Sequence, residues 1–160
     1  MIETWIDALC DVWAMVAVDG FRTMKSPYLI KESKFPAAIS PADDFPIAIT
    51  IPANVDLEYS VGGPKIAHFT GVTQFHLTPD LSMAHIPTLL PYYNRIWVAA
   101  AANLKLGGLV EYFIIPKPNS ITGPIALKWG DEAEHWGFLV NWEVKDKSNT
   151  TVVVGDSSVK

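Results

Sequence analysis

The chain has little of what usually carries chemistry. Among 160 residues there is one cysteine, and there are four histidines. A single thiol, Cys10, excludes an intramolecular disulfide and any cysteine-based zinc site made from one chain. It falls inside an apolar helical pattern with no histidine partner in view. A buried, inert thiol is therefore expected, not a nucleophile. Lys and Arg number 12 against 17 Asp and Glu, a formal net charge of −5, and the cations form no block. That argues against sequence-specific nucleic-acid binding, which needs clustered Lys and Arg. No apolar run reaches membrane-spanning length, and no basic segment followed by an apolar one opens the sequence. A cytoplasm-like compartment is expected, unless the protein is carried outside as part of an assembly. Phosphate loops are missing too. Gly62-Gly63-Pro64 reads as a turn and Gly107-Gly108 as a helix stop, and neither has the flanking residues of a phosphate-binding motif. No serine sits in a nucleophile elbow.

What is present is apolar and aromatic. Hydrophobic residues make up 49% and charged residues 18%, enough for a real core in one domain. Six Trp, five Tyr and seven Phe are expected mainly in the core, and six tryptophans leave room for one or two at an interface.

The periodicities order the chain. Ile2, Trp5, Ile6, Leu9, Val12, Trp13 and Val16 form a stripe on a helix over residues 2–18, with Glu3, Asp7 and Asp11 off it and Gly20 as its stop. The acids also suit the positive end of the helix dipole. Five prolines then punctuate residues 21–52, with extended pieces expected at Tyr28–Ile30, Ala37–Ile39 and Ile47–Ile51. Leu57–Val61 and Ile66–Leu77 alternate and read as a hairpin, the second run being one strand or two broken at Gly71. Leu89, Leu90, Tyr93, Ile96, Trp97, Ala100 and Leu104 recur at three- and four-residue steps, which predicts a second helix over Leu89–Lys105. Pro91 fits its first turn, Pro87 lies in a lead-in, and Gly107-Gly108 ends it. Strands follow at Leu109–Ile115, Ile125–Trp129 and Trp136–Val144. In the last, Trp136, Phe138, Val140, Trp142 and Val144 share a face. The expected fold is α+β: a mainly antiparallel sheet packed against two helices, one domain over 1–146 with a proline-rich excursion. Residues 147–160 form a polar tail, or an arm that adds Val152–Val154 to a neighbour's sheet edge.

Candidate sites are few. His68 and His76 share a strand face but stand on the order of 26 Å apart on a straight strand, too far for one metal unless the strand turns back at Gly71; a metal held by two of the four histidines and a carboxylate is the alternative, and no spacing supports it. His85 precedes the second helix, and His135 follows Asp131, Glu132 and Glu134 in a turn. That cluster has acid–base residue types, but its composition is that of a charged hairpin tip. A pocket on the aromatic face of Trp136, Phe138 and Trp142, with His68 or His76 nearby, is the small-ligand alternative. No catalytic residue, cofactor site or metal ligand is assigned.

One segment carries a resemblance. Leu89, Leu90, Tyr92, Tyr93, Asn94, Arg95 and Ile96, followed by Leu106, Gly107, Gly108 and Leu109, resemble the middle section of the tail terminator proteins of long-tailed bacteriophages. The motif covers about residues 86–110. The order of elements, including an N-terminal helix, the Phe45–Pro52 segment and a last strand of the Trp136–Val144 kind, is similar over most of the chain. The long Phe21–Ser40 region and the valine-bearing tail depart from that pattern. The resemblance implies a non-enzymatic virion protein of the tail or neck, assembled in the host cytoplasm without cofactor. It implies a ring, typically a hexamer, that caps the tail tube, stops its growth and joins the head or its connector. Another neck or tail-tube component is the nearest alternative.

Overall fold

A computed structural model describes residues 2–35, 39, 44–58, 66–117, 120–130 and 134–147. The first helix, α1, runs from Ile2 to Ala14 and buries Trp5, Ile6, Leu9, Cys10, Val12 and Trp13. It is shorter than its apolar pattern. The amides of Met15 and Val16 turn back to Val12 and Trp13 at 3.1 Å, closing the helix. Val16 remains buried beyond its end. Gly20, at φ +91°, serves a later turn.

Two acids of α1 hold the excursion that follows. The Asp7 carboxylate accepts the backbone N–H groups of Leu29, Ile30 and Lys31 at 2.9–3.0 Å. Asp11 accepts the Tyr28 hydroxyl. The expected strand at Tyr28–Ile30 is absent because these amides bond a carboxylate and not a sheet. The sheet contact of this region is an isolated parallel bridge between Lys25 and Ile47. Ala37 and Ala38 lie outside the described residues, and Ile39 is buried against Phe45, Ile47 and Ile49.

Strand β1 spans Ile47–Glu58 and β2 spans Ile66–His76, paired antiparallel from Ile47↔His76 to Glu58↔Ile66. The two runs expected at Ile47–Ile51 and Leu57–Val61 are thus largely one strand, with residues 59–61 outside the described set. Pro52 does not end it because β1 is an outermost strand, where a missing N–H costs no ladder bond; the register shifts between Pro52 and Asn54. Gly71 does not break β2 either. Its missing side chain makes room for the Trp142 indole: a Cβ there would lie 2.3 Å from Cζ2.

The second helical region begins with one turn, α2 (Ile86–Leu89), which contains Pro87, and continues as α3 (Pro91–Ala101) with Pro91 in its first turn. Gly107 and Gly108 take left-handed φ values of +71° and +88° and turn the chain into β3, Val110–Ile114. Strand β4 runs from Ile121 to Leu127 and passes through Gly123-Pro124, where its register shifts. The sequence pattern places this strand later because a Gly-Pro pair reads as a break. The last strand, β5, spans His135–Asp146. The sheet order is β1-β2-β5-β3, with β4 beside the first half of β5, and every strand pairing is antiparallel.

The alternation of β5 decides the two faces. Phe138, Val140, Trp142 and Val144 are fully buried on the side that α1 covers, as expected, while Trp136 is half-buried. Trp5 meets Phe69 and Trp142 edge-on at 5.3 and 6.0 Å, and Trp13 meets Phe75 and Phe113 at 5.4 and 5.7 Å. Such edge-on pairs add about 0.5–1.5 kcal/mol each beyond area burial. The chain is thus a single-layer antiparallel sheet with its helices on one face. The opposite face carries a smaller cluster of Ile39, Phe45, Ile47 and Ile49 with Ile51 and Trp129.

Candidate docking surfaces

The polar residues singled out by type are dispersed, apart from one pair. His68 is half-buried between Glu143 and Glu58, each 3.8 Å away, with the Tyr112 hydroxyl at 3.5 Å. His85 faces Asp80 at 3.2 Å on the surface. Asp131 and Glu132 lie outside the described residues; Glu134 is exposed and His135 is buried. His135 turns inward and meets His76, Nδ1 to Nδ1, at 3.1 Å. The pair is separated by 59 residues of sequence and joins β5 to β2 on the outer face. The Gln74 carbonyl, 3.0 Å from His76 Nε2, fixes a proton on that nitrogen. His76 Nδ1 must then accept, and His135 donates to it. Burial, reinforced by the neighbouring His135, pushes the His76 pKa down to about 4. His76 is therefore a neutral, hydrogen-bonded part of the packing, and its partner His135 has Phe45 edge-on at 4.7 Å. Among the described residues no group of three or more His, Cys, Asp or Glu side chains is placed to hold a metal ion. Cys10 is buried, and burial raises its thiol to about 12, so little thiolate exists at neutral pH.

The aromatic pocket proposed for a small ligand does not form. Phe138 and Trp142 are fully buried core residues, on the sheet face opposite His68 and His76. Two open concavities lie among the described residues. One of about 350 Å³ lies along Leu29–Phe35, and one of about 260 Å³ lies between Phe21, Pro46, Leu77 and His85.

Among the described residues exposed apolar side chains occur in several places, Met15, Ile30, Phe35, Leu81 and Met83 among them; two groups lie on regular elements. The first is on α3. Its periodic residues divide into two faces and not one stripe. Leu89, Tyr92, Ile96, Ala99 and Ala100 are buried, Tyr92 against Phe21 and Phe138. Leu90, Tyr93 and Trp97, with Leu104 in the turn beyond, are exposed, and Trp97 keeps 59% of its surface in water. At 3.6 residues per turn, the exposed row lies about 100° around the axis from the buried one. The expectation that all seven periodic residues lie on one helical face is corrected here: Leu89, Ile96 and Ala100 are buried, Leu90, Trp97 and Leu104 are exposed, and Tyr93 is partly exposed with its ring edge-on to Phe138 at 4.8 Å.

The second is on β1. Its first four residues are buried and its last seven are exposed. Val55 and Leu57 pair with Phe69 and Ala67, both core residues, so all four point to the helix side of the sheet. Yet Val55 and Leu57 remain 41% and 48% exposed. Sequence reading missed this patch. The Leu57–Val61 alternation signalled a half-buried strand, but nothing local shows that its apolar side chains stay exposed.

The two patches lie toward different margins of the helix-covered face. β1 is one margin of the sheet, whereas α3 contacts α1, β3 and, through Tyr92 and Tyr93, Phe138 of β5. The Trp97 side chain exposes on the order of 150 Å² of mostly apolar area, equivalent to about 3–4 kcal/mol of gross transfer free energy if covered. No protein-family model matches this chain, and no curated protein is significantly similar to it.

Proposed function

We propose that this chain is a structural protein that binds copies of itself head to tail in a closed ring. In this reading the ring, a hexamer by resemblance, is the terminator of a long bacteriophage tail. It caps the finished tube, stops its polymerisation and presents a joining surface to the head-completion or connector protein. The observation that carries the reading is the pair of unlike, exposed apolar patches toward different margins of one protomer's helix-covered face. A ring requires heterologous contacts, in which one surface of each subunit meets a different surface of the next. The row Leu90, Tyr93, Trp97 is one such surface and Val55 with Leu57 the other. The resemblance of Leu89–Ile96 and Leu106–Leu109 to the terminator pattern supplies the biological setting. The net charge of −5 suits a passage for DNA that must not grip phosphates.

Sedimentation velocity and electron microscopy of the purified protein, with and without isolated tail tubes, test this. A discrete assembly near six copies is expected, on its own or at the tube end. A protein that stays monomeric beside tubes refutes the reading. An assembly that lengthens without limit as concentration rises assigns the chain to an open tube instead.

A further inference from the structure

Among the described residues, the outer edge of β1 beyond Pro52 has no backbone partner. On that side of β1 the backbone bonds found among the described residues are those of Lys25: its N–H reaches Pro46 O at 3.0 Å, and its carbonyl accepts the Ala48 N–H at 2.8 Å. Every residue from Ala53 to Glu58 is exposed. Pro52 has no N–H to offer, so the free edge is the six-residue stretch beyond it, about 20 Å long. Unpaired N–H and C=O groups in a row are a template for another strand.

The chain's own sequence contains a segment of strand-forming composition. Lys147 is the last described residue, and Thr150-Thr151-Val152-Val153-Val154 follows: five β-branched residues without charge. β-Branched side chains favour extended, half-buried positions. A neutral run also meets Asp56 and Glu58 of the free edge without like-charge repulsion. Five residues match an edge of six.

Distance decides whose edge it reaches. His68 pairs with Asp56 on one side and Lys145 on the other, so the chain leaves β5 at the same end of the sheet as the free edge. A strand added outside β1 lies three strand spacings from β5, about 14 Å. From Asp146 to Thr150 the chain spans at most about 14 Å when fully straight. That leaves nothing for the detour around the β1–β2 connection or for the reversal into register. The protomer's own edge is out of reach, and a neighbour's edge is not constrained in this way.

We infer that the free edge of β1, Ala53–Glu58, receives the Thr150–Val154 segment of a second copy of this chain as an added strand. The inference rests on the reading that copies of the chain associate, and it specifies what links them.

Disulfide trapping in the full-length protein tests it. Asp56→Cys and Val153→Cys are made separately, one with a larger affinity tag, mixed in equal amounts and mildly oxidised; Cys10 is buried and stays out of the reaction. Thr151→Cys and Val152→Cys sample the neighbouring registers. A disulfide-linked heterodimer at least tenfold above the level in either variant alone is expected. Val153→Pro, which removes a ladder donor, is expected to weaken self-association at least tenfold with an unchanged circular dichroism spectrum. The inference is overturned if no register links, or if the Asp56→Cys/Val153→Cys double variant closes within single chains. Unlinked variants together with undiminished assembly of Val153→Pro sink the arm exchange and leave the ring intact. A wild-type protein that never associates, even beside tubes, sinks both.

Discussion

Stability should fall with acid in a way set by one buried imidazole. His76 is fully buried, and its pKa is held down to about 4 from the usual 6.5 by burial first and His135 second. The unfolded chain takes up a proton near pH 6.5 and the folded chain only near pH 4. The neutral ring's contribution is therefore complete above pH 6.5 and is lost progressively as pH falls from 6.5 towards 4. The difference of about 2.5 units corresponds to about 3 kcal/mol in total, of which about 2 kcal/mol is gone by pH 5. The geometry gives the same sign: protonating Nδ1 of His76 sets two N–H groups against each other across 3.1 Å. Denaturant unfolding at pH 8, 7, 6 and 5 measures it, with His76→Gln as the reference. The variant should be less stable than wild type at pH 8 and should lack the wild type's extra decline between pH 6.5 and 5. Parallel pH profiles for the two proteins would refute the assignment, because the decline would then belong to other groups.

Gly71→Ala should cost at least about 3 kcal/mol, since its Cβ meets Trp142 Cζ2 at 2.3 Å and Ile51 O at 2.6 Å. At this chain length that is a fall of roughly 6–12 °C in Tm, and Trp142→Phe in the same molecule should make the added cost of Gly71→Ala smaller. Asp7→Ala should destabilise by about 1 kcal/mol by removing three hydrogen bonds, of which only that of Leu29 is part-buried, with faster hydrogen exchange confined to Leu29–Lys31 and partial recovery in Asp7→Asn. Cys10, with its thiol raised to about 12, should resist Ellman's reagent at pH 8 in the native protein and react stoichiometrically once unfolded.

The α+β architecture is legible where one periodicity answers one burial demand. The stripe Trp5, Leu9, Trp13 and the alternation Phe138, Val140, Trp142 each face a single apolar layer, so pattern and structure agree. It is less legible where the rule depends on neighbours. Pro52 and Pro124 read as breaks, yet both sit within strands at register shifts, and only the strand order reveals that β1 has no further strand outside it to lose a bond to. Asp7 looks like a helix-dipole acid, and its work on Leu29–Lys31 depends on a loop that returns across α1. His76 and His135 meet only through the β2–β5 register. The exposed row on α3 was visible as apolar periodicity, but its separation from the buried row depends on what the folded chain packs against the helix.

Head-to-tail docking of the two apolar patches is best tested by complementation in the ultracentrifuge. Trp97→Asp spoils the α3 surface and leaves β1 whole; Val55→Asp does the reverse, and both sites are exposed enough for the fold to tolerate the charge. Each variant should sediment as a monomer under conditions where wild type forms its closed assembly. An equal mixture should give discrete dimers, because one sound interface remains per pair. Full-size assemblies from either variant, or monomers only from the mixture, would contradict the account.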